Sequence, residues 1–600
     1  MSKMLERLSA FILGLGSERA LRLMFFGLIV GIVSGIGASL FFFVLSWGKF
    51  LAFDVLAGFS LPEPPGERII FMNVESSAKP WLLFLLPAIG GLLSGWIVYT
   101  FAPETEGHGI DAMLDAFHNK RGQIRGRVPL VKGLASIVTL ATGGSAGREG
   151  PIAQIGAGFG SWIGRVLEMS PRERRLLLLA GTAGGLGAIF RAPLGGAITS
   201  IEILYREDFE SEGIIPCVIS SVTAYTVFTY LFGNQPIFEV PPFKILSPKE
   251  LASFTILGLL CAPLGILYIK LFYGCRNRIF KKIPIRPHFI PAIGGFGVGI
   301  LSLISPNVLG GGYGVIQSAL LGHLSLELMA VLIFLKMLAT SFTIGSGGSG
   351  GVFGPSLFIG GMIGGVVGKV AHMIAPGVVV CPEAYVLVGM ASFFAGVASA
   401  PVGALLMVSE MTEGYSLLPP LMLVSCIALI LTRKWSIYEK QAKNKFDSPA
   451  HAADATINVL RSMQVKSVFN PESYSVPLPE DLKLKDLVNV VAHSNETFYP
   501  VVNANYELVG ILSLSVIRKY LFESSPLYDL VVVGELASKP ITLTLNDDIY
   551  TALTKFVDSG YGELPVVDTQ DRKRMVGVLK IEAIFSAYRE EIARLREEAG

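Results

Sequence analysis

Five short motifs occur twice in this chain, in the same order and at nearly one offset. Pro87-Ala88-Ile89-Gly90-Gly91 returns 204 residues later as Pro291-Ala292-Ile293-Gly294-Gly295, and Lys132-Gly133-Leu134-Ala135-Ser136 returns at the same interval as Lys336-Met337-Leu338-Ala339-Thr340. Gly107-His108-Gly109 aligns with Gly312-Tyr313-Gly314 at 205. Ala192-Pro193-Leu194-Gly195, with Glu202 beyond it, answers Ala400-Pro401-Val402-Gly403 with Glu410. The densest pair is Gly143-Gly144-Ser145-Ala146-Gly147-Arg148-Glu149-Gly150-Pro151 and Gly347-Gly348-Ser349-Gly350-Gly351-Val352-Phe353-Gly354-Pro355. Chance does not keep such a series in order, so one internal duplication over about residues 80–410 is read.

The solvent of these copies follows from composition. Hydrophobic residues make up 51% of the 600 and charged ones 16%, against about a quarter charged in a soluble domain. Charge-free windows at 23–48, 80–103, 213–238, 251–269, 287–326, 337–368, 384–409 and 414–432 each approach or exceed the roughly 20 residues that cross a hydrocarbon core. The apolar runs 133–147, 152–164, 176–190 and 192–201 are shorter, as in broken or re-entrant helices that line a cavity or lie within protein. The fold class is therefore an α-helical polytopic membrane protein. Phe41-Phe42-Phe43 reads as lipid-facing.

Basic residues orient it. The start of the chain is basic, and Lys120, Arg121, Arg125, Arg127 and Lys132 follow the 80–103 span, whereas Arg276, Arg278, Lys281, Lys282 and Arg286 precede Pro291. The same motif thus starts outside in one copy and inside in the other. The repeats are inverted, as in carriers with a site near the midplane, and both termini are placed in the cytoplasm. Trp435–Gln441 reads as a short amphipathic helix leaving the membrane. Beyond about 446, Tyr499-Pro500-Val501-Val502 and Val509-Gly510-Ile511-Leu512 recur as Leu564-Pro565-Val566-Val567 and Val576-Gly577-Val578-Leu579, each pair reading as strand, turn, strand, then helix (516–523 and 582–593). The expected organisation is a cytosolic interfacial helix at 1–22, a transmembrane domain at 23–445 with halves at about 80–210 and 285–415, a linker at 446–462, and soluble α/β units at 463–525 and 526–595.

Glycine lets backbone amides approach a guest and proline fits the first turn of a helix, so both glycine-dense turns read as loops emptying into helix N-termini. Such ends attract anions. The acid within them is Glu149. Lys132 and Lys336 recur and read as loop anchors; Glu410 reads as a structural hydrogen-bonding acid, while for Glu202 that role and a functional one stay open. The cysteines have no CxxC spacing, and neither disulfide nor metal site is expected. A net charge of +2 gives no argument for a nucleic-acid partner.

Gly147-Arg148-Glu149-Gly150-Pro151 and Gly351-Val352-Phe353-Gly354-Pro355, inside an inverted repeat and followed by Tyr438, resemble the CLC chloride channels and chloride/proton exchangers; the tail resembles a CBS-domain pair. The resemblance implies a homodimer with one anion pathway per subunit. It implies that Glu149 is the gating carboxylate, that the Val352 and Phe353 amides cradle an anion, and that Tyr438 gives it a hydroxyl. Gly147, Arg148, Gly150 and Gly351 complete the anion-binding turns, with the Arg148 side chain expected on loop carbonyls. Gly107-His108-Gly109-Ile110-Asp111 stands where the family has Gly-Ser-Gly-Ile-Pro, which makes His108, Gly109 and Ile110 the inner anion-binding residues. An imidazole N–H replaces the serine hydroxyl as donor, and Asp111 is expected to bond the first amides of its own helix. Ile203 takes the place of the exchangers' inner glutamate, beside Glu202, so the proton pathway lacks its usual acid.

The functional expectation is chloride transport gated by Glu149, as a passive voltage- or pH-gated channel ahead of a chloride/proton antiporter, with another small anion such as fluoride or nitrate as a further alternative. An intramembrane enzyme lacks a nucleophile or metal cluster, and a receptor would leave duplicated broken helices without purpose. In the CBS pair, Val516 and Ala583 stand where the family has a ribose-binding aspartate, so no cofactor is expected and adenine nucleotide is disfavoured.

Overall fold

Proline and glycine decide where the apolar runs become helices. The computed structural model describes residues 19–69, 79–241, 243, 248–452, 459–471, 476–494, 496–518 and 530–598. Of the helix expected at 1–22 only 19–22 are described, and residues 519–523 of the helix expected at 516–523 also lie outside the described residues. The chain divides into two compact units, Met1–Ala450 and His451–Gly600.

The first unit is helical: α1 (Arg19–Lys49), α2 (Pro80–Phe101), α3 (Ile110–His118), α4 (Val128–Ala141), α5 (Glu149–Val166), α6 (Pro171–Phe190), α7 (Pro193–Glu202), α8 (Ile214–Phe232), α9 (Glu250–Gly274), α10 (Ile290–Ile304), α11 (Tyr313–Leu320), α12 (Leu326–Gly345), α13 (Phe353–Ile374), α14 (Ala384–Ala398), α15 (Pro401–Thr412) and α16 (Leu418–Thr432). Among the described residues seven stretches are long and apolar enough to cross a membrane. The window 384–409 breaks because Ser399 is left-handed (φ 54°) and Pro401 opens α15; the residue before a proline is disfavoured in helix. Arg191 (φ 51°) and Pro193 break the first copy in the same way. The runs 152–164 and 176–190 are longer helices than their apolar cores, since Arg165 joins α5 and a Ser170–Glu173 capping box starts α6 among charged residues. Phe41 and Phe42 are buried, Phe42 against Phe228 and Phe232 on α8, and only Phe43 is exposed.

The two halves interlock through equivalent contacts. Where α2 crosses α10, a Cβ on Gly91 would strike the Pro291 carbonyl and one on Gly295 the Pro87 carbonyl, so close backbone approach requires glycine in both. The Glu202 carboxylate accepts from Val402 N (3.0 Å) and Gly403 N (2.6 Å), and the Glu410 carboxylate from Leu194 N (3.1 Å) and Gly195 N (2.7 Å). Each half thereby caps the other's helix start, which satisfies amides that have no partner inside the helix. Glu202 and Glu410 share this structural work. Lys132 Nζ donates to the Thr105 (3.1 Å) and Gly107 (2.7 Å) carbonyls, and Lys336 Nζ to those of Val308 (2.9 Å) and Gly310 (2.7 Å).

Those lysines correct one alignment. Gly107 and Gly109 have φ of 72° and 83°, Gly310 and Gly312 of 59° and 80°. Gly107-His108-Gly109-Ile110 therefore corresponds to Gly310-Gly311-Gly312-Tyr313, at 203 rather than 205. Matching Gly-x-Gly triplets by composition sets the second copy two residues too far along.

Trp435–Gln441 forms no helix. The segment is pinned instead by Ile437 N to the Val397 carbonyl (2.9 Å) and by Gln441 Nε2 to the carbonyls of Ile203 (3.1 Å), Tyr205 (3.0 Å) and Ala398 (3.1 Å). These external partners replace the intrahelical bonds of an amphipathic helix.

In the second unit, β1 (Leu478–Pro479), β2 (Phe498–Val502) and β3 (Leu508–Ser513) form a sheet of order β1-β2-β3, and β4 (Leu543–Thr544), β5 (Glu563–Val567) and β6 (Met575–Lys580) repeat it. In each the first pair is parallel and the second antiparallel, with a bulge at Val501/Val502 and again at Val566/Val567. Such a defect at equivalent places marks a copied unit. Ile581–Glu598 is the closing helix.

Lys336→Met leaves the Val308 and Gly310 carbonyls buried without their donor, at a cost of about 1–3 kcal/mol. The expected result is a lower unfolding temperature for the purified protein in detergent; an unchanged one would show that these carbonyls do not depend on Lys336.

Candidate functional site

The glycine turns of the two halves bond each other. Gly147 N donates to the Gly351 carbonyl (2.7 Å) and Gly351 N to that of Gly147 (2.6 Å), while Gly107 N reaches Gly348 O (3.2 Å) and Gly350 N reaches Gly107 O (3.3 Å). Gly143 (φ 91°) and Gly347 (φ 99°) reverse the chain into these turns in a conformation that side chains resist. The starts of α3, α5, α11 and α13 come together around the pairing. Amides of a first helical turn have no intrahelical acceptor, so the Arg148–Gly150 and Val352–Gly354 amides form a donor-rich place. The Gly147 and Gly351 amides are not part of it: expected as anion donors, they are spent on one another and brace the turns.

Glu149 is 2% exposed and sits in this place. Its Oε1 accepts the Tyr313 hydroxyl, and its Oε2 has no hydrogen-bond partner among the described residues. The seat is made by missing side chains. A Cβ on Gly147 would collide with Oε2, one on Gly351 would lie 2.7 Å from Oε2, and one on Gly354 2.9 Å from Oε1.

The Arg148 side chain does not bond loop carbonyls, as its sequence position suggests. It pairs with the Glu67 carboxylate, both residues 4% exposed, and lies 4.9 Å from the Tyr313 ring and 5.6 Å from those of Phe42 and Phe190. A buried guanidinium needs such a partner, and Glu67 supplies the opposite charge. A cleft lined by Glu63, Glu67, Arg148, Gly312 and Tyr313 opens on this side.

His108 occupies the other side. Its Nε2 lies 3.2 Å from Asp111 Oδ2, and its buried Nδ1 has no partner among the described residues. Its ring is 5.3 Å from that of Tyr438, which is 1% exposed. Asp111 does not cap its own helix; its Oδ1 accepts Lys440 N at 3.0 Å, because that amide lies on the Tyr438 segment and α3 starts on Gly109 instead. Gly109, Ile110 and Gly150 close the space between the sides, with a Cβ on Gly109 falling 3.0 Å from the Gly150 carbonyl. Val352 and Phe353 are buried, the Phe353 ring 5.1 Å from Phe190 and 4.3 Å from Phe394. Glu202 stands apart as a helix cap, and Ile203 is a buried apolar residue whose carbonyl anchors Gln441.

Sequence reasoning missed Tyr313, Glu67 and Gln441. For Tyr313 the signal was present, since it opens a helix after left-handed Gly312 as Ile110 does after Gly109. Among the described residues no cluster of His, Cys, Asp or Glu suits a metal ion.

The family model described as voltage gated chloride channel matches residues 90–433. The chain belongs to that family. A CBS domain model matches residues 533–590. This member of the voltage gated chloride channel family is 33% identical over 356 residues to the putative chloride channel protein ClcB-like of Ralstonia nicotianae, covering 59% of this chain and 82% of that one. It is 27% identical to the chloride channel protein CLC-f of Arabidopsis thaliana over an alignment covering 96% of this chain and 81% of that one. Its fold is similar to that of a slow cyanobacterial Cl-/H+ antiporter (TM-score 0.61, 24% identity, 70% of this chain and 95% of that one) and of a CLC-type fluoride/proton antiporter (TM-score 0.60, 20% identity, 71% and 100%).

Asp111→Ala frees the Lys440 amide. Loss of a hydrogen bond to a charged group, about 1.5 kcal/mol, predicts roughly tenfold faster hydrogen exchange in the peptide carrying Lys440; exchange at the native rate would show that other bonds hold the Tyr438 segment.

Proposed function

We propose that this chain carries chloride across a membrane through the space between the Tyr438 and Glu149 sides, with Glu149 as its gate. The observation that carries the reading is a buried carboxylate seated among helix starts, with no lysine or arginine donating to it among the described residues. An anion leaving water needs fixed dipoles in its place, and a full cation would hold it too tightly for turnover. The nearby cations are committed elsewhere, Arg148 to Glu67 and the lysines to carbonyls. Glu149 competes for the dipoles that a permeating anion uses. Protonated, it loses that competition and leaves. His108 and Tyr438 serve the inner position, where the unpartnered His108 Nδ1 offers a ring nitrogen.

Passive conduction has the support of Ile203, which cannot carry a proton where an acid is expected. Exchange for protons has separate support, since the fold is similar to those of a Cl-/H+ antiporter and a fluoride/proton antiporter and the Glu149 carboxyl is a group that can take up and release a proton. The working unit is a homodimer, as the family resemblance implies, with both termini cytoplasmic. The CBS pair works without adenine nucleotide, Val516 and Ala583 packing against their own cores.

Liposomes loaded with chloride test the whole reading. Chloride efflux with no uphill proton uptake identifies a channel, proton uptake an exchanger, and no anion flux overturns the proposal. Glu149→Gln is expected to give flux that no longer varies with external pH; flux in that variant that still falls steeply as pH rises would remove Glu149 from the gate.

A further inference from the structure

Nothing in that transport scheme uses Tyr313, although its hydroxyl is the side-chain donor that the Glu149 carboxylate takes. In the corrected register Tyr313 is the counterpart of Ile110, the first residue of the equivalent helix. Ile110 has nothing to donate. At this position the two halves differ by a hydroxyl, and that hydroxyl donates to the carboxylate proposed as the gate.

The phenol is held for this purpose. Its ring lies under the Arg148 guanidinium at 4.9 Å and 6.1 Å from the Phe238 ring, and Tyr313 is 7% exposed beside the cleft. The charges around the pair are fixed: Arg148 with Glu67, Arg191 on the Gln235 and Phe232 carbonyls, and Lys336 on the Val308 and Gly310 carbonyls under the Tyr313 turn. Tyr438 is buried with its ring 5.3 Å from that of His108. None of these donates to the carboxylate, so the hydroxyl is the adjustable contact.

We propose that Tyr313 is a positioning residue for the gate, its hydroxyl latching the ionised Glu149 carboxylate in its seat and releasing it on protonation or displacement. The inference rests on the reading of Glu149 as gate. A donor bonds a carboxylate more strongly than a carboxylic acid, so the latch favours the ionised, seated form and holds the gate shut to lower pH than the seat alone would. Removing the hydroxyl lets Glu149 take its proton, and leave, at higher pH.

The test is chloride efflux against external pH from liposomes holding the full-length protein, Tyr313→Phe, Glu149→Gln or the double variant. Phenylalanine keeps the ring against Arg148 and deletes only the oxygen. The expected result is a midpoint about one pH unit higher in Tyr313→Phe, with pH-independent flux in both variants that carry Glu149→Gln. A Tyr313→Phe profile that coincides with the native one, while Glu149→Gln is flat, overturns the latch and leaves the gate standing. A native profile in Glu149→Gln removes the gate and the latch with it.

Discussion

Two peptide groups bonding each other, those of Gly147 and Gly351, hold together the helix starts on which the rest of the site depends. In water the pair would be worth little, since each group would exchange it for solvent. Inside a membrane protein an unpaired peptide group costs several kcal/mol, so the pairing fixes the two turns against one another. It also settles which amides are left over. The turns' own peptides are consumed, and the free donors belong to the helices that follow.

The ionisable groups around this pairing divide by how they are balanced. Arg148 and Glu67 are a buried ion pair, and removing either partner of such a pair strands a charge at a cost of about 3–5 kcal/mol. Lys132 and Lys336 donate to carbonyls in matching positions of the two halves, and Lys336 also lies 4.9 Å from the Phe358 ring. Glu149 has no cation donating to it: its Oε1 takes the Tyr313 hydroxyl, and its Oε2 has no hydrogen-bond partner among the described residues. The carboxylate held by no cation is the one at the meeting point of the halves, a fitting place for a group that must move.

Much of this was legible because it is local. Glycine runs, proline at helix starts and the offset between copies lie in the sequence itself, and they gave the inverted halves, the two turns and Glu149 between them. What depends on distant partners was not. Glu67 looks like any loop acid until Arg148 is found against it. Trp435–Gln441 has helical polarity, yet Gln441 spends its amide on carbonyls more than 40 residues away and the segment forms no helix. The register error near Tyr313 has a similar origin, since glycine triplets look alike by composition and only the lysine contacts and positive φ angles tell them apart.

The crossed carboxylates of Glu202 and Glu410 bear on how the molecule is made. A ribosome that has delivered α7 has delivered a helix start whose cap lies some 200 residues downstream, whereas α15 emerges with its capping acid, Glu202, already synthesised. Neither repeat can therefore be finished as a free-standing module. Until the late half is made, the Leu194 and Gly195 amides lack the carboxylate that caps them in the finished fold, so the last stretch of the early half matures only when the second repeat docks on it.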